Sequence, residues 1–475
     1  MNYLTIKEIR TKYGVSQTKL AECSTFSKAQ ISAWELGKRI PSEAEIKQLY
    51  NCISDLIAKI DAGRIDIKKK KIQHTRIEKK LPKVIKTAED YKRRSETISY
   101  CSKYSNILSN IYVDAMALKP SDALKGIALF SGCGGMTLGF EAAGFNLVGH
   151  VEIADSANKI YAENFKNSKL LGTDICDISD KDLEEWITTY GSIDIIVGGP
   201  PCQGFSLAGK RNPEDERNKL YKQYVRIVSK LRPKVFVMEN VAVMTSMTDT
   251  NGELFINKIE EEFSEQGYTL KKKIVNAFEY GVPQSRERII LVGVRDDLGK
   301  KFEFDETEYT YELGDKQLRL PSSLKKKALT FRDATGDLES LENGEWSAAD
   351  PLHWAIVHPK HVIAWLKDVP EGHSAHENSD PALRPPSGFN TTYKRNSWDE
   401  PSSTISTNFS MISGCRNVHP VDTRSLTIRE AARVQSFPDE FIFVGNWGDI
   451  RKAIGNAVPP ILAKKIAIEI LEQIF

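Results

Sequence analysis

The sequence predicts an α/β protein with a doubly wound, mostly parallel sheet, preceded by a small all-α domain and interrupted late in the chain by a loop-rich region. Three observations support this fold class. From Gly126 onward, short apolar runs alternate with segments whose apolar residues recur every three or four positions. The first 58 residues contain short helical patterns separated by turns, and the alternation fades between about residues 301 and 400. A chain of 475 residues is long enough for two or three compact units.

The N-terminal segment 1–58 predicts a helix-turn-helix. In "GVSQTKLAECSTFSKAQISAWELGKRIPS" Ser16 is placed to cap a first helix, and a second helix is expected over about 27–36, with Ile31 and Trp34 facing inward. Two short helices joined by a polar turn are typical of DNA-binding domains. A small helical bundle that binds protein is the alternative. The segment resembles the DNA-binding domain of phage-repressor-type regulators, which implies that Lys28, Gln30 and Ser32 reach base edges.

Residues 59–95 form a basic stretch, in which Lys59 to Arg94 contains 14 basic and 5 acidic residues. This composition fits either a solvated linker or an arm that neutralises phosphates. The arm is favoured if the domains on both sides of the stretch bind nucleic acid. Residues 96–123 predict an amphipathic helix that packs against the next domain. Its apolar residues recur at spacings of three and four: Ile98, Cys101, Tyr104, Ile107, Leu108, Ile111 and Tyr112.

The strands of the region 124–300 are expected at "GIALF", "FNLVGHVEI", "IDIIVGG", "KVFVMENV" and "RIILVGV". Ligands of such sheets collect at the carboxyl ends of the strands. Residues 301–400 predict a second, smaller, loop-rich domain. The segment 401–475 regains helical patterns at "TIREAARVQSF" and "PPILAKKIAIEILEQIF", and we expect it to return to the sheet.

Three successive strand ends carry residues that suit an adenosine-containing cofactor. The first leads into Gly132, Gly134 and Gly135 and then a helix, so that backbone can approach a ligand at a helix N-terminus. Glu152, after the second strand, can accept hydrogen bonds from ribose hydroxyls, and Asp174, after the third, from an adenine amino group. Each feature is weak alone, because tight turns and surface acids are common.

A fourth strand ends in "IDIIVGGPPCQGFS", where Pro200 and Pro201 fix the backbone and hold Cys202 at the ligand edge of the sheet. A thiol on a rigid turn is a better nucleophile candidate than the other six cysteines, which are scattered without metal-ligand spacing. This cysteine usage, and the lack of an apolar stretch of membrane length, predict a reducing, cytoplasmic location without membrane contact.

Two further motifs add polar groups to the same edge. "FVMENV" ends a strand with Glu239, an acid able to hold or donate a proton. "VPQSRERIILVGV" places Arg286 and Arg288 before the next strand, where alternation should direct them to opposite sides. Either motif alone would be interpreted as a surface acid or a surface ion pair.

In order and spacing, "LFSGCGG", "GGPPCQGFS", "MENV", "QSRER", "LTIREAARVQSFPDEF" and "AIGNAVPP" resemble the motifs of cytosine-5 DNA methyltransferases. The resemblance covers about residue 124 to the C-terminus. It implies a Rossmann-like, S-adenosylmethionine-dependent domain with a small target-recognition region at 301–400. Ala128 and Ala154 depart from the family pattern at positions where relatives often carry an acid.

The resemblance implies that Cys202 adds to C6 of a cytosine flipped out of double-stranded DNA, with Glu239 at N3 and Arg288, with Arg286 nearby, on O2 or a phosphate. A loop over 206–221 would close behind the base. The implied cofactor contacts are Phe130, Gly132, Gly134, Gly135, Glu152, Ile153, Asp174, Ile175, Pro200, Asn456 and Val458. The implied DNA contacts of this domain are Gln203, Ser206, Lys210 and Arg211.

The biological role expected from these features is the modification enzyme of a bacterial or phage restriction-modification system, with an N-terminal domain that represses its own promoter. A cognate restriction endonuclease would act in the same system without a stable complex, and dimerisation through the N-terminal domain on operator DNA is compatible with the resemblance. An RNA cytosine methyltransferase and a regulator with a decayed enzyme domain are the alternatives. Adenine and N4-cytosine transfer are disfavoured, since those families lack the thiol.

The target sequence cannot be read from the chain, although residues 391–395, "TTYKR", are a candidate recognition patch. Histidines at positions 353, 358, 361, 373 and 376 include two HxxH pairs. No cysteine lies close to them, and we expect no metal site.

Overall fold

The computed structural model describes residues 15, 17–35, 41–61, 85, 87–95, 102–201, 220–248, 252–310 and 326–475. The chain divides into two compact units, 1–83 and 84–475. Within the described ranges, no helix combines the length and apolar character needed to span a membrane.

The N-terminal unit contains three described helices, Gln17–Glu22 (α1), Lys28–Glu35 (α2) and Glu43–Asp61 (α3). Their inward faces share one apolar core: Val15, Leu20, Ile31, Trp34, Leu49, Ile53 and Leu56. The predicted inward positions Ile31 and Trp34 are confirmed, with exposures of 0% and 3%. The predicted cap, Ser16, lies outside the described residues.

The second unit is built on a seven-stranded sheet in the order β3-β2-β1-β4-β5-β7-β6. The strands are Lys125–Leu129 (β1), Asn146–Val151 (β2), Lys169–Gly172 (β3), Ile195–Gly198 (β4), Val235–Val241 (β5), Tyr268–Asn276 (β6) and Glu287–Arg295 (β7). The first five strands run parallel, and the order reverses between β1 and β4. The loops after β1 and β4 therefore leave the sheet side by side.

The far edge of the sheet departs from the parallel pattern, because β7 runs antiparallel to both β5 and β6. Strand β6 was not predicted from the sequence. This strand contains Lys271, Lys272 and Lys273, whose charges interrupt the apolar run expected of a strand. Their ammonium groups bond outward to Glu303, Glu260 and the Asp305 carbonyl, as is typical of an edge strand that resists further pairing.

Helices cover both faces of the sheet. The described helices of this unit are Ala88–Ser95 (α4), Lys103–Met116 (α5), Gly135–Ala142 (α6), Asp155–Asn164 (α7), Asp180–Tyr190 (α8), Leu220–Leu231 (α9), Phe255–Glu265 (α10), Phe331–Thr335 (α11), Lys360–Leu366 (α12), Ile428–Val434 (α13), Trp447–Asn456 (α14) and Pro460–Ile474 (α15). One apolar layer contains α5, α6, α7 and α15, and the other contains α8, α9 and α10. The central strands are thus buried on both sides, which explains their continuous apolar runs.

Helix α5 lies within the stretch predicted to be amphipathic, 96–123, but is shorter, since it begins after the cap Ser102 and ends at Met116. Its buried face includes Leu108 and Ile111, which pack in the same core as the sheet. The Tyr104 hydroxyl donates to the carbonyl of Arg433 at 3.1 Å. Ile98 and Cys101 lie outside the described residues.

The loop-rich region contains short elements, among them the strand pair Tyr309–Thr310 (β8) and Lys326–Lys327 (β9). A separate small apolar core lies within 362–418. It consists of Val362, Leu366, Val369, Ala375, Tyr393, Ile412 and Val418, with Trp365 packed against it. This small core is distinct from the two layers that cover the sheet, although it belongs to the same compact unit.

Candidate active site

The loop after β1 is shaped by left-handed backbone. Phe130, Gly132 and Gly134 have φ of 52°, 56° and 95°, and α6 begins at Gly135. A Cβ on Gly134 would lie 2.3 Å from the ring of Phe165. Glycine is therefore required at Gly134 both by conformation and by close packing.

The segment around Asn456 closes on this loop. A Cβ on Gly135 would lie 2.4 Å from the carbonyl oxygen of Val458, so the helix N-terminus and the chain after α14 are in contact. Asn456 is the exposed last residue of α14. The Cys133 thiol lies against the Ala453 carbonyl at 3.5 Å, on the same helix.

The ends of β2 and β3 present the two predicted carboxylates. Glu152 accepts hydrogen bonds from the N–H groups of Gly132 and Ala154, both at 2.8 Å. Asp174 accepts from the N–H of Cys176 at 2.9 Å. Glu152 thus links the ends of β1 and β2, which are the strands whose ends should bind ribose.

Three observations fit an adenosine-containing cofactor at these strand ends. The hydroxyl of Ser131 is buried and has no hydrogen-bond partner among the described residues. The side chain of Ile153, beside Glu152, is 69% exposed, whereas Ile175 is buried at 3%. An unsatisfied hydroxyl, an exposed apolar side chain and a helix N-terminus on one edge offer both polar and apolar contacts to such a molecule.

The turn after β4 requires both of its glycines. A Cβ on Gly198 would lie 2.2 Å from the carbonyl oxygen of Leu129 on the neighbouring strand. A Cβ on Gly199 would lie 2.9 Å from Oε2 of Glu239. The backbone of this turn therefore lies directly against the carboxylate of Glu239.

The turn is also fixed by Asn240, which is buried and whose Nδ2 donates to the carbonyl of Pro200 at 2.8 Å. The segment 202–219 lies outside the described residues. It contains the predicted nucleophile Cys202 and the predicted DNA contacts Gln203, Ser206, Lys210 and Arg211. Asn240 was not predicted as a site residue, although its position in "MENV" next to Glu239 could have indicated it.

Glu239 and Arg288 form an ion pair at the end of β5 and the start of β7. Arg288 Nε lies 2.9 Å from Glu239 Oε1, and their side chains are 15% and 12% exposed. The antiparallel register brings these two strand ends together, with Val241 opposite Arg288. The pair is partly accessible, and one carboxylate oxygen remains beside Gly199.

Arg286 occupies a different place from the one predicted. Its side chain is 2% exposed, and its guanidinium donates to the carbonyls of Ile405 at 3.0 Å, Gly455 at 3.0 Å and Ala457 at 3.2 Å. The pKa of Arg286 is lowered mainly by burial and, to a smaller extent, by repulsion from Arg288. The expectation that Arg286 contacts a base or a phosphate is therefore corrected: it holds the residues that flank Asn456. The predicted alternation of the two arginines is consistent with this geometry.

Two glutamines extend this polar cluster. Gln284 is fully buried, donates to Gln435 Oε1 at 2.7 Å and accepts from the Ile405 N–H at 2.8 Å. Gln435 donates in turn to the Ile454 carbonyl at 2.7 Å. Sequence segments more than 100 residues apart are thus joined beneath the active site.

A second group of arginines, not predicted as functional, surrounds α13. Arg424 pairs with Glu430 and Asp422, Arg429 with Asp350 and Asp439, and Arg433 with Asp337 and Asp439. All three arginine side chains are 0% exposed in these pairs. The i,i+4 spacing of Arg429 and Arg433 in a segment otherwise rich in apolar residues was the available signal.

The predicted recognition patch 391–395 is largely internal. Arg395 is 2% exposed and donates to the carbonyls of Leu366, His419 and Asp422, each at 2.8 Å. Its expected role in recognition is wrong, because the guanidinium holds the loop 419–422. Thr392 and Tyr393 are also buried.

Two of the predicted histidines, His353 and His358, form hydrogen bonds within the protein. His353 is buried between Thr427 and the Glu339 carbonyl, and His358 Nε2 accepts from the Ser425 N–H at 3.1 Å. Across the described ranges, no group of three or more His, Cys, Asp or Glu side chains is arranged to hold a metal ion.

In the N-terminal unit, the predicted base contacts lie at the start of α2. Lys28 is exposed and Ser32 is partly buried. Gln30 Oε1 accepts from the N–H of Ser27 at 3.0 Å and from its hydroxyl at 2.9 Å, while the Gln30 N–H bonds the Ser27 hydroxyl. Gln30 therefore completes a capping box at the N-terminus of α2.

Comparison with known proteins gives consistent matches over both units. Residues 124–472 match the family model of C-5 cytosine-specific DNA methylases, and residues 6–49 match a helix-turn-helix model. The chain is 36% identical over 377 residues to the Type II methyltransferase M1.HphI of Haemophilus parahaemolyticus, covering 79% of this chain and 91% of that protein. It is 32% identical over 380 residues to the Type II methyltransferase M.DdeI of Desulfomicrobium norvegicum, covering 72% and 87%.

A solved structure shares the fold. It is a DNA modification methyltransferase encoded within a prophage of E. coli, at a TM-score of 0.56 and 26% identity, covering 74% of this chain and 99% of that one.

Proposed function

The chain belongs to the family of C-5 cytosine-specific DNA methylases, and from this premise we propose that it methylates a cytosine in a specific duplex sequence through a covalent bond to Cys202. S-adenosylmethionine supplies the electrophilic methyl group in this family, and DNA is the substrate. The observation that carries the proposal is the Glu239–Arg288 pair beside the turn that leads to Cys202.

Cytosine C5 is too electron-poor to attack a methyl group directly, so the ring must first gain a nucleophile. The Cys202 thiolate adds to C6, and the displaced electron pair moves through the ring toward N3 and O2. The cofactor would supply the methyl group: as C5 bonds the methyl carbon, the carbon–sulfur bond of the sulfonium would break and leave its electron pair on sulfur as a neutral thioether. A base then removes the C5 proton, and the C6–S bond breaks to return the thiolate. The atoms balance with one methyl group transferred and one proton released.

Glu239 and Arg288 match the charge that develops on the ring. A proton held by Glu239 toward N3 stabilises the electron pair there, and Arg288 offers N–H donors to O2. Arg288 contacts Oε1, which leaves Oε2 of Glu239 against Gly199 beside the entrance to the turn. One arginine thus orients the acid and contacts the base.

The cofactor residues are proposed from the strand ends. The backbone of Gly132, Gly134 and Gly135 would lie against the methionine part, with Phe130 and Pro200 on either side. Glu152 would bind the ribose hydroxyls, Asp174 the adenine amino group, and Ile153 and Ile175 the adenine ring. Asn456 and Val458 would complete the site from the C-terminal segment. The close approach of Val458 to Gly135 supports this arrangement.

The target base must leave the helix, at a cost of a few kcal/mol. We assign Gln203, Ser206, Lys210 and Arg211 to the DNA side of this step, because the segment 202–219 follows the catalytic turn and is polar and charged.

Trapping of the covalent intermediate tests the reaction. A PCR fragment with 5-fluoro-2′-deoxycytidine in place of deoxycytidine is incubated with the full chain and S-adenosylmethionine, and adducts are separated on denaturing gels. Fluorine replaces the hydrogen at C5, so no proton can be removed there and the enzyme cannot be released. We therefore expect a stable adduct with wild type and with Cys176→Ser, a variant of an exposed cysteine. Cys202→Ser should give none. An adduct that persists in Cys202→Ser, or none with wild type, would contradict the proposal.

The finer biological role is also a proposal. We infer a modification enzyme of a restriction-modification system, with a cognate endonuclease that does not form a stable complex with it, and an N-terminal unit that represses the gene's own promoter, as a dimer on operator DNA. The helix-turn-helix match and the exposed Lys28 at the start of α2 support DNA binding there.

Footprinting near the start of the gene tests this second role. The footprint should survive Cys202→Ala, which removes the nucleophile, and should be lost in a Lys28→Ala, Ser32→Ala double variant whose methylation of plasmid DNA is unchanged. Loss of the footprint in Cys202→Ala, or no footprint with wild type, would overturn it.

A further inference from the structure

The small core within 362–418 carries an exposed aromatic ring. Phe389 is 80% exposed, the highest value for any phenylalanine or tryptophan in the described part of the chain. A single exposed apolar side chain is ordinary on a protein surface, so Phe389 is singled out by the backbone that holds it and by its exposed and charged neighbours rather than by exposure alone.

The backbone beneath this ring is fixed. The N–H and the hydroxyl of Thr392 both donate to the Phe389 carbonyl, at 2.8 and 2.9 Å. Gly388 has φ of 123°, and a Cβ there would lie 3.2 Å from Thr392 Oγ1 and 3.4 Å from His376 Nε2. The turn is thus closely packed against Thr392 and His376, and the exposed ring is attached to a fixed backbone.

The neighbouring turn carries a second exposed apolar side chain. Met411 is 57% exposed, and the carbonyl of the next residue, Ile412, accepts the N–H of Tyr393 at 3.1 Å. The two turns, 388–392 and 408–411, therefore belong to one end of the small core, which we term the recognition tip.

Charge is distributed unevenly over the small core. Apart from the buried Arg395, residues 384–398 contain the basic residues Arg384 and Lys394 and no acid, and residues 401–421 contain no acid. The segment 368–380 contains four acids. An apolar tip on acid-free segments favours a polyanion with exposed bases over an acidic or neutral protein surface.

The region of the small core that carries the recognition tip is also joined to the segment that precedes β7. Arg395 forms a bridge with Val418, and Ser402 pairs with Pro283 and Ser285, directly before Arg286 and Arg288. A duplex seated on the tip would therefore lie in a fixed relation to the base-binding pair.

We propose that Phe389 reads the target duplex, its ring packing against base edges in a groove of the DNA. The inference deepens the proposed function and rests on it, since the duplex is the substrate of that reaction. Apolar contact with base edges, such as the thymine methyl group, discriminates between bases and requires the ring to be held in place before DNA arrives.

The test compares full-length wild type, Phe389→Ala and Phe389→Leu on plasmid DNA of known sequence. Initial rates are measured by transfer of a tritiated methyl group, and the methylated sites are identified by bisulfite sequencing. Methylation rates report the catalytic unit, whereas gel shifts would include DNA bound by the N-terminal unit. Leu118→Ala is the matched control, because Leu118 is a 93% exposed apolar residue outside the small core.

We expect Phe389→Ala to lower kcat/KM for DNA about tenfold with KM for the cofactor unchanged, and to relax the sequence preference at one or two positions. Phe389→Leu should retain part of the discrimination, and Leu118→Ala should behave as wild type. Thermal unfolding should be the same in all four proteins, since both side chains are exposed.

Unchanged rates and preference in Phe389→Ala, or a uniform loss at every site without altered preference, would overturn the assignment. A wild-type protein that transfers no methyl group to plasmid DNA would instead overturn the proposed function itself. The two failures are therefore distinguishable.

Discussion

Two arginine–carboxylate pairs of the same unit differ in how far they exclude water. Arg288 and Glu239 are 15% and 12% exposed, whereas Arg429 and Asp350 are both 0% exposed. The first pair lies at a strand end, with one carboxylate oxygen beside a glycine. The second involves Arg429 on α13, and both of its charged side chains are fully buried. Similar chemistry is therefore partly accessible to solvent in one region and fully enclosed in the other.

The difference follows from what each pair must do. Breaking a buried pair leaves a charge without water or a partner, and costs far more than breaking an exposed one. A pair that has to meet a substrate must remain accessible. Substitutions at the two sites should therefore separate loss of stability from loss of activity.

The largest effect on stability is expected for Arg429→Met, which leaves Asp350 and Asp439 without their shared guanidinium. The free energy of unfolding should fall by about 3–5 kcal/mol, measured by urea denaturation. Arg332→Ala, which breaks the pair with Asp399 at 53% and 68% exposure, is the control and should cost less than about 1 kcal/mol.

The double variant Arg429→Met, Asp350→Leu should regain part of the stability, because an apolar pair replaces the orphaned charge. A single variant as stable as wild type would show that the enclosed pair contributes nothing to the fold.

Glu239→Gln should lower kcat by about 10²–10⁴-fold while lowering the free energy of unfolding less than Arg429→Met does, because the amide keeps a hydrogen-bond acceptor for Arg288. The amide of glutamine cannot act as an acid that donates a proton to N3 and becomes a carboxylate. Its shape still fits the space beside Gly199. Single-turnover methylation of plasmid DNA and urea denaturation give the two values. Equal loss of activity and stability would mean that the pair is structural, like those of α13.

Gly199→Ala should lower kcat about 10–100-fold. The new methyl group would lie 2.9 Å from Glu239 Oε2 and 3.1 Å from the Glu239 carbonyl oxygen, so the carboxylate must move. Gly198→Ala gives the contrast, because its Cβ would lie 2.2 Å from the Leu129 carbonyl oxygen and should destabilise the sheet. Full activity in Gly199→Ala would remove the argument that this glycine sets the position of the acid.

The smallest effect expected is on the pH dependence of stability. Burial, with repulsion from Arg424, lowers the pKa of His358 to about 4, and its Nε2 accepts the Ser425 N–H. Since the unfolded histidine titrates near 6.5, this contribution is present above about pH 6.5 and is lost as the pH falls toward 4. Unfolding at pH 5 should cost on the order of 1–2 kcal/mol less than at pH 7.5.

His358→Gln keeps an acceptor for the Ser425 N–H but cannot be protonated, so it should show a smaller decrease between pH 7.5 and 5. His361→Gln, at an exposed position, should retain the wild-type decrease. Identical decreases in wild type and His358→Gln would exclude His358 as the source.

The sequence was sufficient to predict the strands that carry the site, because each is a short apolar run that ends in turn-forming residues. It could not show β6, where three lysines of an edge strand resemble a solvated loop. It correctly indicated that Arg286 and Arg288 diverge, but not their partners. The carbonyls that bind Arg286 belong to residues 405, 455 and 457, and a pairing so distant in the chain leaves no local pattern.

The same limit explains Arg395. A basic residue beside a tyrosine and two threonines has the composition of a DNA-binding patch, yet six hydrogen bonds of its guanidinium go to residues 366 and 419–423. The residue that projects from this loop, Phe389, is apolar and therefore carries no signal of exposure in the sequence.

The reversal of strand order between β1 and β4 fixes a distance. Leu129 and Gly198 are paired across these two strands, so the glycine-rich loop after β1 and the turn after β4 start one interstrand spacing apart, about 4.8 Å. That spacing is a property of the sheet ladder rather than of either loop. Insertions or deletions in the segment 202–219 should therefore leave the separation between the bases of the two loops unchanged.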